Sequence, residues 1–404
     1  MSQRYAYTAK DMRGKIIKGF LNAETEVDLS NKISNMGYFM TGFKLAQGGD
    51  VQSARFKTYR MNSREVLQFT FQLNTLIDAG LPLLEGLRDL VQSTSEERVK
   101  RVLEDIRYRI ESGGSLKDSL SLHPHSFSKL YTAIVGAGEA TGKLPQALND
   151  LSDLLEWQME LGAKIKEAAT YPVILFTVMI GVVTILVVKV IPMFKPIFDQ
   201  ADVALPLPTQ FLLNFSEVMR TRWYYFIAVG AAIFGASVVL KTFEKGRFLL
   251  DTIKLKLPLF GGLIRKIALS RFTHTFALCF RAGINLLSCL DISKDTCSNL
   301  RIEKAIGKAR DSVNVGEKLA GSLQATGEFP VMVVRMIGVG EQSGALVNTL
   351  TKVAGFYDKE VASTIKKIFS LFEPIMIVIM GVIVGGIAFA IFLPIFKMSQ
   401  MVGG

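Results

Sequence analysis

Three stretches of the chain are nearly free of charge, while most of the remainder alternates apolar and polar positions at helical spacing. Residues 173–191 hold one charge, Lys189, and residues 223–240 and 375–396 hold none. At about 1.5 Å of rise per residue, each stretch is long enough to cross a hydrocarbon core of roughly 30 Å. Lys189 lies within a turn of its segment's end, where its ammonium can snorkel outward, so it needs no functional role. No apolar segment opens the chain, which predicts no signal peptide and no export of the first 170 residues.

The N-terminal residues follow a different pattern. Tyr5-Ala6-Tyr7 alternate, Asp11-Met12-Arg13-Gly14 reads as a turn, and Ile16-Ile17 with Phe20 predict a returning strand. A helix begins near Thr25, carries Leu29, Ile33 and Met36 on one face, and stops at Gly37. Residues 46–53 are a polar linker. Helical periodicity then takes over. Asn62-x-x-Glu65 has the spacing of a capping box, and Phe69, Leu73, Leu76 and Ile77 recur on one face until Gly80. Pro82 opens a helix through Leu83, Leu84, Leu87, Leu90 and Val91; Gly113-Gly114 later breaks the chain before Leu116 and Leu120.

The pattern occurs twice. Gly136-Ala137-Gly138-Glu139-Ala140-Thr141-Gly142 returns as Gly338-Val339-Gly340-Glu341-Gln342-Ser343-Gly344, an offset of 202. Pro172 falls on Pro374 and Pro192 on Pro394 at that offset, whereas Ala79-Gly80 falls on Ala282-Gly283 at 203. A one-residue difference between about 120 and 127 reconciles the two, and the chain reads as a tandem duplication of roughly 66–194 and 269–396. Each copy predicts a bundle of four to six short helices followed by an apolar segment, with Pro172 and Pro374 at the membrane entrance and Pro192 and Pro394 at the exit.

Duplication sets the expected topology. Two homologous bundles belong in one compartment, so the chain has to return between them, and 223–240 has to be a real crossing. The fold class is therefore mainly α, a polytopic membrane protein. Its parts are a small α/β domain at 1–50, bundles at 54–172 and 241–374, transmembrane helices at 173–191, 223–240 and 375–396, and an outer loop at 192–222. That loop is neutral, and Lys189 and Lys397 take one charge each, which leaves +9 of the formal +11 on the bundle side and places the bundles in the cytoplasm. Gly381-x-x-x-Gly385 gives the third crossing a small-residue face suited to packing against another helix, although glycines are also simply common in such helices.

Catalytic chemistry finds little support. Cys279, Cys289 and Cys297 all fall in the second copy and read as reduced, mostly core residues; His123 and His125 flank Pro124 in a surface loop with no carboxylate at ligand spacing. The glycine spacing is wrong for a dinucleotide fingerprint, no nucleotide-binding P-loop occurs, and no carboxylate interrupts the apolar segments as a translocator would require. No cofactor, metal or nucleic acid is expected. The repeated Glu139 and Glu341 stand out, each read as beside glycines where a helix begins. There a carboxylate caps free N–H groups, or else serves docking of a partner or of the other bundle. Gly80 and Gly283 end helices and most simply hold positive φ.

Several of these features together resemble one family. They are the Ala79–Leu87 piece repeated at 282–290, the doubled Gly-x-Gly-Glu-x-[Thr/Ser]-Gly-x-Leu element, and the opening Tyr5-x-Tyr7-x-Ala9-x-Asp11-x-x-Gly14-Lys15. The family is the inner-membrane platform protein of bacterial type IV pilus assembly and type II secretion. The resemblance implies two cytoplasmic bundles and contact with a hexameric assembly ATPase. It also implies contact with pilin or pseudopilin subunits and other inner-membrane assembly proteins, self-association into a homo-oligomer, and no enzymatic activity. A scaffold or receptor of another machine is the alternative that the residues alone leave open.

Overall fold

The computed structural model describes residues 3–10, 16–23, 25–35, 39–45, 59–200 and 206–402. In the unit formed by the first sixty residues, strands β1 (Gln3–Lys10), β2 (Ile16–Ala23) and β3 (Phe39–Leu45) form an antiparallel sheet in the order β2-β1-β3. Tyr5 stands opposite Leu21 on one side and Leu45 on the other. Helix α1 (Glu26–Asn35) lies between β2 and β3 in sequence; Thr25 Oγ1 accepts from Asp28 N at 3.2 Å, and Leu29 is fully buried. β3 is an element that the alternation of residues did not reveal, because Gly42 interrupts its apolar run. The expected turn at 11–14, the stop at Gly37 and the linker at 46–53 lie outside the described residues.

The second unit is helical throughout its described length. Its first set comprises α2 (Ser63–Asp78), α3 (Leu83–Ser93), α4 (Glu97–Glu111), α5 (Leu116–Ser121), α6 (Lys129–Thr141) and the long α7 (Leu144–Ile185). The later set follows the same succession: α12 (Phe260–Arg281), α13 (Leu286–Thr296), α14 (Leu300–Asn314), α15 (Leu319–Ala325), α16 (Val331–Ser343) and α17 (Leu346–Val402). Between them come α8 (Ile191–Gln200), α9 (Leu207–Thr221), α10 (Trp223–Thr242) and α11 (Glu244–Lys256). The capping box that opens α2 is complete: Asn62 Oδ1 accepts from Glu65 N at 2.9 Å, and Glu65 Oε2 accepts from Asn62 N at 2.7 Å. Core positions keep their register, with Leu87 and Leu290, and Leu148 and Leu350, fully buried in both sets.

Three helices are long and apolar enough to cross a membrane, the spans being Leu144–Pro196, Trp223–Thr242 and Leu346–Phe396. Pro172 and Pro374 do not interrupt α7 and α17, which pass straight through them into the apolar segments. Nor do Pro192 and Pro394 end a helix, and the expected loop at 192–222 is largely α8 and α9.

The exit prolines leave defects that α9 repairs. Pro394 has no N–H for the carbonyl of Ala390, four residues back, and Thr209 Oγ1 donates to that oxygen at 2.6 Å. Before Pro192 the helix widens into a π turn (Leu186–Val190), in which Ile191 N bonds back to Leu186 O and so releases the carbonyl of Val187. Ser216 Oγ donates to it. Thr209 and Ser216 are both buried, seven residues apart on one face of α9. Leu212 and Leu213 lie beside them against Val187, Ile191, Ile387 and Ile391.

Replacing Thr209 by Val keeps the shape and strands the Ala390 carbonyl, which should cost about 1–3 kcal/mol. Thermal unfolding of the detergent-solubilised chain should show a lowered Tm for Thr209→Val and recovery for Thr209→Ser. Equal Tm values for Val and Thr would discard the role given to α9.

Candidate functional site

The doubled element is a junction of three helices, built the same way in each set. Glu139 lies in the last turn of α6, not at the start of a helix as expected, and it caps an element more than twenty residues upstream. Its Oε1 accepts from Leu116 N at 2.8 Å and its Oε2 from Lys117 N at 3.1 Å. Glu341 does the same in α16, accepting from Leu319 N at 2.7 Å and Ala320 N at 3.1 Å. These are the first two free N–H groups of α5 and α15, where the helix dipole favours an anion. In α5 the third is taken by Ser115 Oγ, which accepts from Asp118 N at 3.0 Å.

The glycines allow the close approach. A methyl group on Gly136 would lie 2.6 Å from Lys117 Cδ, and one on Gly338 would lie 3.3 Å from Ala320 Cβ. On Gly138 it would meet Ala147 Cβ at 2.5 Å, and on Gly340 it would meet Thr349 Oγ1 at 2.6 Å, so α7 and α17 pack directly on the helix before them. Gly142 (φ 70°) and Gly344 (φ 68°) hold the left-handed conformation that closes α6 and α16. After Gly142, Lys143 N donates to Gly138 O at 2.9 Å. Gly80 and Gly283 turn α2 and α12 into the next helix at φ 87° and 82°. Among the described residues, the helix's own backbone aside, nothing lies within 4 Å of a methyl added at Gly381 or Gly385.

A second cluster joins the two sets. Asp358, on the polar part of α17 ahead of the apolar stretch, accepts from Trp157 Nε1 of α7 at 3.0 Å and from Ser270 Oγ of α12 at 3.2 Å. His274 Nε2 is 3.0 Å from its Oδ2. Burial pushes the Asp358 carboxyl up, but the bonds from His274, Trp157 and Ser270 outweigh it and hold the group below the ordinary aspartate range. Trp157 and His274 also stack, with centroids 4.0 Å apart. Arg281 reaches Asp150 at 3.4 Å, Lys129 reaches Asp295 at 3.6 Å, and Leu161, Leu263, Val361, Ile365 and Ile368 form the apolar floor.

None of these pairings follows local spacing, so sequence pattern alone does not single out His274 or Asp358. His123 also departs from the surface-loop reading: its Nε2 lies 2.9 Å from Asp105 Oδ2, with only 15% of the side chain exposed. Both clusters hold elements together. Among the described residues, no group of three or more His, Cys, Asp or Glu side chains is placed to hold a metal ion.

Asp358→Ala should destabilise the junction by about 2 kcal/mol. Adding Trp157→Phe to that variant should cost much less than Trp157→Phe does alone, a coupling readable by denaturant unfolding. Additive losses would mean that the two side chains act separately.

Comparison with known proteins places this architecture. The family model of type II secretion system (T2SS) protein F matches residues 69–192 and again 272–394. The type IV pilus assembly protein PilC of Myxococcus xanthus is 35% identical, over 98% of this chain and 95% of that protein. PilC of Thermus thermophilus is 35% identical over 97% of each chain, and the type II secretion system protein F of Pseudomonas aeruginosa is 32% identical over 99% of each. The chain therefore belongs to the GspF/PilC family, the non-catalytic inner-membrane platform proteins of type II secretion and type IV pilus assembly.

Proposed function

We propose that this chain is the platform through which a cytoplasmic hexameric ATPase drives pilin or pseudopilin subunits into a growing fibre. The observation that carries the reading is the continuity of α7 and α17. Each begins against the glutamate junction of a polar helix set and runs, without a loop, into an apolar segment. At about 1.5 Å per residue the two helices are about 63 and 86 Å long, so movement of either set is delivered to the membrane by a rod.

In this reading the two sets are duplicated bundles, both cytoplasmic, with α10 as the return crossing and the C-terminus outside. The charge distribution supports that orientation: +9 of the formal +11 falls on the bundle side. The ATPase engages the bundles. Pilin or pseudopilin and the other inner-membrane assembly proteins meet the crossings, where the open face of Gly381 and Gly385 suits close helix packing. Pilus assembly is preferred over secretion because the relatives at 35% identity carry pilus names and the secretion relative stands at 32%.

Deletion of the gene should abolish surface pili while export of secreted proteins continues. Loss of export with intact pili would move the chain to the secretion machine, and loss of neither would reject the platform role. Glu139→Ala combined with Glu341→Ala should insert normally into the membrane yet reduce piliation severely, counted by electron microscopy; wild-type fibre numbers would remove both residues from function.

A further inference from the structure

The contact between the two helix sets is one-sided. From the first set, α7 presents Asp150 and Trp157; from the second, α12 receives them with Arg281 and His274, and Asp358 of α17 accepts from Trp157 Nε1. Had the sets met about a two-fold axis, the equivalent positions of α17 and α2 would cover each other in the same way. They are exposed instead. At the offset of 202, Asp150, Leu154 and Trp157 correspond to Lys352, Phe356 and Lys359, all on the outside of α17. At the offset of 203, His274, Leu278 and Arg281 correspond to Phe71, Thr75 and Asp78, all on the outside of α2. The contrast is large: Leu154 is 6% exposed against 37% for Phe356, and Phe71 is 62% exposed.

We infer that a second copy of this chain occupies these faces, with α17 of one copy docking on α2 of the next as α7 docks on α12 within each. The chemistry of the open faces is complementary. The pair Asp150–Arg281 becomes Lys352–Asp78, with both signs reversed and the attraction kept. The stack of Trp157 on His274 becomes Lys359 over the ring of Phe71, a cation–π contact. The reversal also selects the order of assembly. A first set meeting another first set would bring Asp150 to Asp78, and a second set meeting a second would bring Lys352 to Arg281, so like charges reject both. Every chain keeps one face of each kind, so the contact repeats until the assembly closes on itself. This inference rests on the duplication proposed above and is independent of the ATPase coupling.

The test uses the full-length chain in membranes. Two differently tagged copies are co-expressed, one carrying Asp78→Cys and the other Lys352→Cys, and treated with a short bis-maleimide; the parent chain, whose own cysteines are buried, sets the background. A mixed-tag dimer is expected, with none from Asp78→Cys paired with itself or from Lys352→Cys paired with itself. Asp150→Cys with Arg281→Cys in one chain serves as the internal control, read as a linked peptide by mass spectrometry. A successful control without the mixed dimer overturns the inference and leaves the duplication standing. Failure of the control removes the template and the inference with it, and like-with-like products overturn the head-to-tail order. Independently, Phe71→Ala should weaken self-association in detergent about tenfold. Asp78→Lys should weaken it about fivefold, with recovery on adding Lys352→Asp. A wild-type chain that stays monomeric at every concentration would overturn the proposal.

Discussion

Two carboxylates tie equivalent junctions of the helical unit together. The first turn of a short helix offers N–H groups that its own backbone cannot satisfy, and a helix of six or seven residues holds together through packing and capping from outside it. Glu139 and Glu341 take two such groups each, and they do so from the last turn of the helix that leads into α7 or α17. A single side chain thus ties the short helix, the tight glycine turn and the start of the long helix into one block. The glycines at 136, 138, 338 and 340 make the approach possible, since a methyl at any of them would crowd the neighbouring helix. That block fixes the start of each long helix, ahead of the directional contacts that Asp150, Trp157 and Asp358 make further along.

The same concern with unsatisfied backbone groups governs the other end. Proline 192 and proline 394 interrupt the hydrogen-bond ladder where water is scarce, and hydroxyls from α9 supply the missing donors. Polar and apolar ends of the long helices are therefore both finished by side chains brought from elsewhere in the chain.

The fold is legible in the sequence as far as local chemistry reaches. The capping box at Asn62 and Glu65, the helix ends at Gly80 and Gly283, and the apolar windows each depend on residues within a few positions of one another. The target of Glu139 did not, because it lies 23 residues upstream and depends on how α5 and α6 pack. His274 and Asp358, 84 positions apart, are joined only by the antiparallel fit of α12 and α17. α9 escaped because prolines bracket its start and its apolar residues serve two faces: Leu212 and Leu213 inward, Leu207 and Phe211 outward. Correspondence between the copies supplied what local pattern could not, since it marked the same glutamate twice.

Helix α10 has no buried residue at all. The contacts described between the two helix sets lie on α6, α7, α12, α13 and α17. In the arrangement proposed here the duty of α10 is one of parity: it makes the number of passages odd, whatever its side chains. In that arrangement, apolar substitutions that keep its length leave the contact between the two sets intact, and any cost they carry falls on what meets the helix from outside the chain.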